Sequence, residues 1–306
     1  MTSLAYPKIA VLMSVFNGAT FLEEQILSIL SQERVSVSIY IRDDGSTDKT
    51  PELLNSFKKD HLNVHVIEGE NLGVTRSFLS MLRLWGFDAD YFAFSDADDV
   101  WQPRKLYEAY LLLCTLPQDS PALYCGQLEF VDRNLNHLGW GTKVRRPLSF
   151  QNALVESRAS GATCMFNRGA FERLCQLSFN RAVLHDAWIY LVIAAFGNVI
   201  FDHRAFIRYR QHGANAIGGK PNLSARWKLR VGRLKGRHQN FFGQAQSLFE
   251  QAGDALVPEK RRTISKYLHH RDSIWARFKF ALGPSVYFQR LRSDLFYKVL
   301  VMIGRS

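Results

Sequence analysis

Tyr91-Phe92-Ala93-Phe94-Ser95-Asp96-Ala97-Asp98-Asp99-Val100-Trp101 joins a short apolar run to three carboxylates within four positions. The run Tyr91 to Phe94 has the length and composition of a buried strand. Carboxylates this close repel one another and raise each other's pKa unless a cation neutralises them. Hard carboxylate oxygens suit magnesium or manganese, ions that commonly bridge to substrate phosphates. Asp99 has a second reading, as the cap of a helix that begins near Pro103.

The same pattern recurs upstream. Lys8 to Phe16 reads as a strand and ends at Asn17. Phe21 to Gln32 places Leu22, Ile26, Ile29 and Leu30 on one helical face. Val37 to Ile41 reads as a second strand and runs into Arg42-Asp43-Asp44-Gly45-Ser46-Thr47-Asp48. Thr50 to Lys59 reads as a helix with Pro51 in its first turn. Val64 to Ile67 is a third strand, and a helix follows Asn71-Leu72-Gly73. Strands separated by single helices predict a mostly parallel, doubly wound α/β sheet. Ligands bind such sheets beyond the carboxyl ends of the strands. Asn17, Asp43/Asp44, Asn71 and Asp96/Asp98 each follow a strand, so four polar clusters are expected on one edge.

Downstream of Pro117, strands are expected over Ala122 to Val131, within Ser160 to Asn167, and over Val199 to Tyr209. His185 to Phe196 reads as an apolar helix. Asp186 at its start fits either a general base or an N-cap. Arg76 is placed to reach a diphosphate from the start of its helix, or is a surface arginine. His212, after the last strand, is either a metal ligand or a structural hydrogen-bonding residue.

The 306 residues carry a net charge of +11, are 47% hydrophobic and 22% charged, and hold four cysteines without metal-site or paired spacing. These cysteines read as free thiols of a reducing compartment. The N-terminus lacks the form of a signal peptide, and no apolar run reaches the ~18 residues of a membrane span. A cytoplasmic location is therefore expected. Residues 220–306 contain 18 Lys/Arg and 5 Asp/Glu, a net of +13, whereas residues 1–219 carry −2. This division suggests a catalytic domain over 1–219 and a basic, largely helical extension over 220–306. Between Arg226 and Arg237, basic residues alternate with Trp227, Leu229, Val231 and Leu234, which suits an anionic membrane surface. Nucleic acid binding would explain the basic tail but not the ordered carboxylates. A nucleotidyltransferase would need a basic phosphate loop where Phe16-Asn17-Gly18-Ala19-Thr20 stands.

Val15-Phe16-Asn17, Asp43-Asp44-Gly45-Ser46-Thr47-Asp48, Asn71-Leu72-Gly73, Ser95-Asp96-Ala97-Asp98-Asp99-Val100-Trp101 and His185-Asp186-Ala187-Trp188 together resemble family 2 glycosyltransferases with the Rossmann-like GT-A fold. With Tyr209-Arg210-Gln211-His212-Gly213, the set is most similar to bacterial rhamnosyltransferases of lipopolysaccharide and other cell-surface glycans. The resemblance implies an inverting transfer from a nucleotide sugar, dTDP-L-rhamnose for this subfamily, to a glycan or glycolipid hydroxyl. Phe16, Asn17, Asp43 and Asp44 would hold the nucleobase and ribose, and Asn71 and Arg76 would approach the nucleotide. Asp96 would face ribose and metal, Ala97 would line the pocket, and Asp98 would ligate Mg2+ or Mn2+. Asp186 would be the base, and His212 would complete the metal or diphosphate site. Ala97 stands where relatives often have glutamine, and Ala187 where many have a second tryptophan. The enzyme would sit peripherally on the inner face of the cytoplasmic membrane.

Overall fold

The computed structural model describes residues 6–211, 241–283 and 286–304. Eight strands follow one path in a single sheet: β1 (Lys8–Val15), β2 (Ser36–Asp43), β3 (Val64–Glu68), β4 (Tyr91–Ser95), β5 (Val100–Trp101), β6 (Ala122–Val131), β8 (Met165–Asn167) and β9 (Asn198–Arg210). A ninth, β7 (His137–Trp140), pairs with β6 off this path. The order along the sheet is β3-β2-β1-β4-β8-β6-β9-β5. β1 pairs in parallel with β2 and β4, β2 with β3, and β6 with β9. β8 and β5 run antiparallel to their neighbours. The sheet is thus mostly parallel, as the alternation of elements predicts, with short antiparallel strands in its second half.

β1 (KIAVLMSV) and β4 (YFAFS) are buried on both faces, which explains their unbroken apolar composition. One face is covered by α1 (Leu22–Leu30), α2 (Thr50–Asp60) and α4 (Lys105–Leu113), which contribute Ile26, Leu54 and Leu106 to one apolar layer. Pro51 lies in the first turn of α2, and Lys58 and Lys59 in its last, both favourable placements. The other face carries α3 (Val74–Met81), α5 (Phe150–Ala153), α6 (Arg168–Cys175) and α7 (His185–Phe196). α7 is buried from Ala187 to Ala195, hence apolar around its whole circumference.

The C-terminal helices α8 (241–252), α9 (Pro258–His269), α10 (Ile274–Leu282) and α11 (Leu291–Met302) lie on this second face. Leu248, Tyr267, Phe280 and Tyr297 belong to the same apolar cluster as Phe92 and Trp188. α10 ends just before the Gly283-Pro284 break expected from sequence. The segment 212–240, with the alternating basic residues Arg226 to Arg237 and with His212, lies outside the described residues.

Candidate active site

The loop between β4 and β5 carries Asp96, Asp98 and Asp99, whose ligand oxygens lie within 4.8 Å of one another. The loop is fixed from two sides. Beneath it, the buried Gln25 amide of α1 donates to Asp99 O at 2.6 Å and accepts from Ser95 Oγ at 2.6 Å and Trp101 Nε1 at 3.1 Å. Beside it, β5 pairs with β9, so that Val100 faces Arg208. Arg210 N donates to Asp99 Oδ1 at 3.0 Å, and Arg210 Nε donates to Asp98 O at 2.8 Å. The Arg210 guanidinium is buried, stacks over Phe21 and pairs with Glu24 Oε2 at 2.5 Å. Asp99 is therefore not the cap of α4. Its Oδ1 is taken by β9, and the N-cap of α4 is Arg104.

Burial, then the Asp98 and Asp186 charges, push the Asp96 carboxyl up to about 7. Burial and the same crowding by Asp96 and Asp98 raise Asp99 well above the carboxylate range. Asp99 Oδ2 is buried without a hydrogen-bond partner among the described residues. Lys105, buried under the loop with its ammonium 3.4 Å from the Trp101 ring centroid, is pushed down to about 7 by burial. Crowded hard oxygens of this kind fit a divalent cation, which would relieve their mutual repulsion.

Asp186 enters from the second face, in the first turn of α7. It is not the N-cap, because Leu184 holds that position. Its Oδ2 accepts from Gly161 N at 3.3 Å, while Oδ1 is buried with no partner among the described residues. Burial pushes this carboxyl up to about 6, against the opposing pull of the Ala187 and Gly161 amides. The neighbouring His185 ring stacks on Phe78 at 4.2 Å and meets Phe94 edge-on at 5.2 Å. Burial lowers His185 to about 3, so the ring is neutral.

Ahead of the acidic loop, the β1 and β2 ends are tied together. Asn17 has φ 52°, a left-handed conformation that asparagine tolerates. Its N donates to Ser46 Oγ at 2.9 Å, and its Oδ1 accepts from Thr47 N at 2.8 Å. Gly45, at φ +84°, makes the turn between these groups and Asp44. Phe16 stands half exposed beside them. Asp43 Oδ1 accepts from Ser46 N at 3.0 Å. Asp44 is committed differently: it pairs with Arg42 and accepts from Leu72 N at 3.0 Å and Gly73 N at 2.9 Å. Asn71 Oδ1 accepts from Gly73 N at 3.0 Å, and Arg76 is exposed in the first turns of α3. Ala97 approaches Gly18, whose added Cβ would lie 3.5 Å from the Ala97 Cβ. Strand ends thus bring Phe16, Asn17, Asp43, Asp44, Asp96, Ala97 and Asp98 to one edge.

The model of glycosyl transferase family 2 matches residues 10–175, from β1 through α6. The chain belongs to this family. The transferase is 25% identical over 237 residues to dTDP-rhamnosyl transferase RfbG of Shigella flexneri, covering 74% of this chain and 80% of RfbG. Its fold matches S. aureus TarS in complex with UDP-GlcNAc at a TM-score of 0.60 and 13% identity, over 97% of this chain and 81% of that one. It also matches the Pyrobaculum calidifontis mannosyltransferase PcManGT in complex with GDP-Man and Mn2+, at a TM-score of 0.52 and 14% identity, over 99% of this chain and 88% of that one. The fold is GT-A, and the activity class is glycosyl transfer.

Several residues of this transferase's site escape a reading of the sequence alone. Tyr209 is one: burial, then the charges of Asp96, Asp99, Asp98 and Asp186, raise its phenol far above the ordinary range. A single side chain therefore senses all four carboxylates. Its place beside His212 in the Tyr209-Arg210-Gln211-His212 run was the available signal. Gly161, Gln25 and Glu24 carried no such mark. His212 itself lies outside the described residues.

Proposed function

We propose that this transferase moves L-rhamnose from dTDP-L-rhamnose to a hydroxyl of a lipid-linked or lipopolysaccharide glycan, with inversion. The observation that carries this reading is the placement of Asp186. Its Oδ1, without a partner among the described residues, lies on the α7 side of the acidic loop, near enough to Asp96 for their charges to interact. Asp186 takes the proton of the acceptor hydroxyl as that oxygen attacks the anomeric carbon. Its raised pKa, about 6, keeps it deprotonated yet basic at neutral pH. Asp96 and Asp98, joined by His212, would hold Mg2+ or Mn2+, which when bound supplies positive charge to the leaving nucleotide diphosphate. Phe16, Asn17 and Asp43 receive the base and ribose. Asp44, spent on Leu72 and Gly73, holds the loop that carries Asn71 and Arg76 toward the nucleotide. A single displacement between leaving group and base inverts the anomeric centre.

The likeness to RfbG supports the rhamnosyl donor. A lipid-linked acceptor places the working enzyme on the cytoplasmic face of the membrane, with an anionic lipid surface as partner. Among the described residues no helix is long and apolar enough to cross a membrane. The test is a panel of dTDP-L-rhamnose, UDP-glucose, UDP-galactose and UDP-N-acetylglucosamine, read by binding and slow hydrolysis with Mg2+ or Mn2+. The expected preference is dTDP-L-rhamnose. A UDP-sugar as preferred donor overturns the rhamnosyl assignment and leaves the family assignment standing.

A further inference from the structure

The described C-terminal helices have an unusual distribution of apolar residues. α10 buries Phe280 and Ala281 in the core, yet it also exposes Ile274, Trp275, Phe278 and Leu282. Trp275 is 76% exposed and Leu282 80%. At 100° per residue these four fall within one 100° arc of the helix. α11, packed against α10, buries Tyr297 and Val301 and exposes Leu291, Leu295 and Val299 at four-residue spacing, a series that its C-cap Ile303 continues. Leu291 is 75% exposed and Leu295 67%. A surface helix normally turns one apolar stripe inward and a polar face outward. These two are apolar on both sides. Apolar exposure along two helices that pack against each other suits an interaction surface.

Charge selects the partner. Between Arg271 and Gly304 there are six Arg/Lys and two Asp. Asp294 is buried and paired with Arg146 at 3.5 Å and Lys298 at 3.8 Å. Lys279, Arg290 and Arg292 are exposed beside the apolar residues. Two copies meeting through this face would bring these cationic rims together, which is unfavourable. An anionic bilayer complements them. With 9 and 12 residues, the helices fall far short of the ~20 needed to span and suit the interfacial plane. Exposed tryptophan is characteristic of that depth.

We infer that the α10–α11 face seats this protein on an anionic lipid bilayer, with Trp275, Leu282, Leu291 and Leu295 in the headgroup–acyl boundary. The inference deepens the membrane part of the proposed function and rests on it. It assigns the docking to described residues, independently of Arg226 to Arg237.

The test uses the full chain and flotation with vesicles of phosphatidylglycerol and phosphatidylethanolamine, or of phosphatidylcholine alone. The wild type floats with the anionic vesicles and is released by salt. Trp275→Glu/Leu282→Glu/Leu295→Glu weakens binding by at least about tenfold with an unchanged melting temperature, since all three side chains are exposed. Lys279→Ala/Arg290→Ala/Arg292→Ala weakens it about fivefold per charge and flattens the salt dependence. Equal recovery on both vesicle types at low salt overturns the inference. So does wild-type binding by the glutamate variant. A wild-type dimer, split by the glutamate changes, that ignores vesicles would assign the face to a second copy instead. Slow hydrolysis of the nucleotide sugar is measured in parallel and stays at the wild-type rate in both variants. Vesicle binding through this face without hydrolysis of any sugar nucleotide sinks the donor reading and leaves the membrane surface standing.

Discussion

Gly161 donates its backbone N–H to Asp186 Oδ2 at 3.3 Å, across 25 residues of chain. The same glycine makes room for the neighbouring ring, since a Cβ on Gly161 would lie 2.3 Å from His185 Nε2. A residue without a side chain thus orients one carboxylate and admits the ring beside it. Gly161→Ala must displace the ring or the turn. It should cost about 1–3 kcal/mol, as overpacking does, and lower turnover more than donor affinity. Thermal melting and steady-state kinetics on the variant check both. An unperturbed protein would show that the turn yields freely.

Asp186→Asn keeps shape and leaves an oxygen for the Gly161 amide, but removes the proposed proton acceptor. Transfer should fall by roughly two to four orders of magnitude, the range for general base catalysis. Donor affinity should stay near wild type. Near-normal turnover would move the base elsewhere.

With Asp186 as the proposed base and its carboxyl pushed up to about 6, log kcat/KM should rise with unit slope below that pH and level off above it. Stability carries the opposite sign. Between the unperturbed value of 3.8 and about 6, the folded state holds the proton more tightly than the unfolded chain. The wild type should therefore lose stability relative to Asp186→Asn as pH rises through this window. Parallel pH titrations of rate and of chemical unfolding measure the two effects.

Asp98→Ala removes a carboxylate while leaving its backbone oxygen for Arg210. Activity should require Mg2+ or Mn2+ and drop at least about a hundredfold in the variant, as when a major electrostatic contributor is lost. Full wild-type activity in excess chelator would refute the metal assignment.

Arg210→Lys keeps one charge but loses the fork that reaches Asp98 O, Arg133 O and Glu24 together. The acidic loop should loosen, with a stability loss of about 1.5–3 kcal/mol for hydrogen bonds to charged groups. Donor affinity should weaken with it. Calorimetric melting and nucleotide titration test the pair of effects.

The front half of the fold was legible because its strands are short apolar runs, β1 and β4 buried on both faces, and each ends at a polar cluster. β1, β2, β3 and β4 fall within two residues of the runs that predict them. β5 was not legible: two residues become a strand only because β9 passes beside them. β7, α5 and α6 were missed for the related reason that short elements carry too little periodicity. The apolar helix over His185 to Phe196 was read to the residue, yet the position of Asp186 within it was not. N-cap and second helical residue differ by backbone conformation, which side-chain identity alone does not fix. Asp99 resembled a cap because its true partner is a backbone amide of Arg210, 111 positions away.

That distance also sets an order of events during synthesis. A nascent chain emerging from the ribosome at about 5–20 residues per second exposes Asp96, Asp98 and Asp99 several seconds before the strand that braces them. Until β9 has emerged, the acidic loop lacks its edge strand and the Arg210 clamp, although α7 with Asp186 has already been made. The brace of the acidic loop is thus completed only when β9, the last sheet strand among the described residues, has been made.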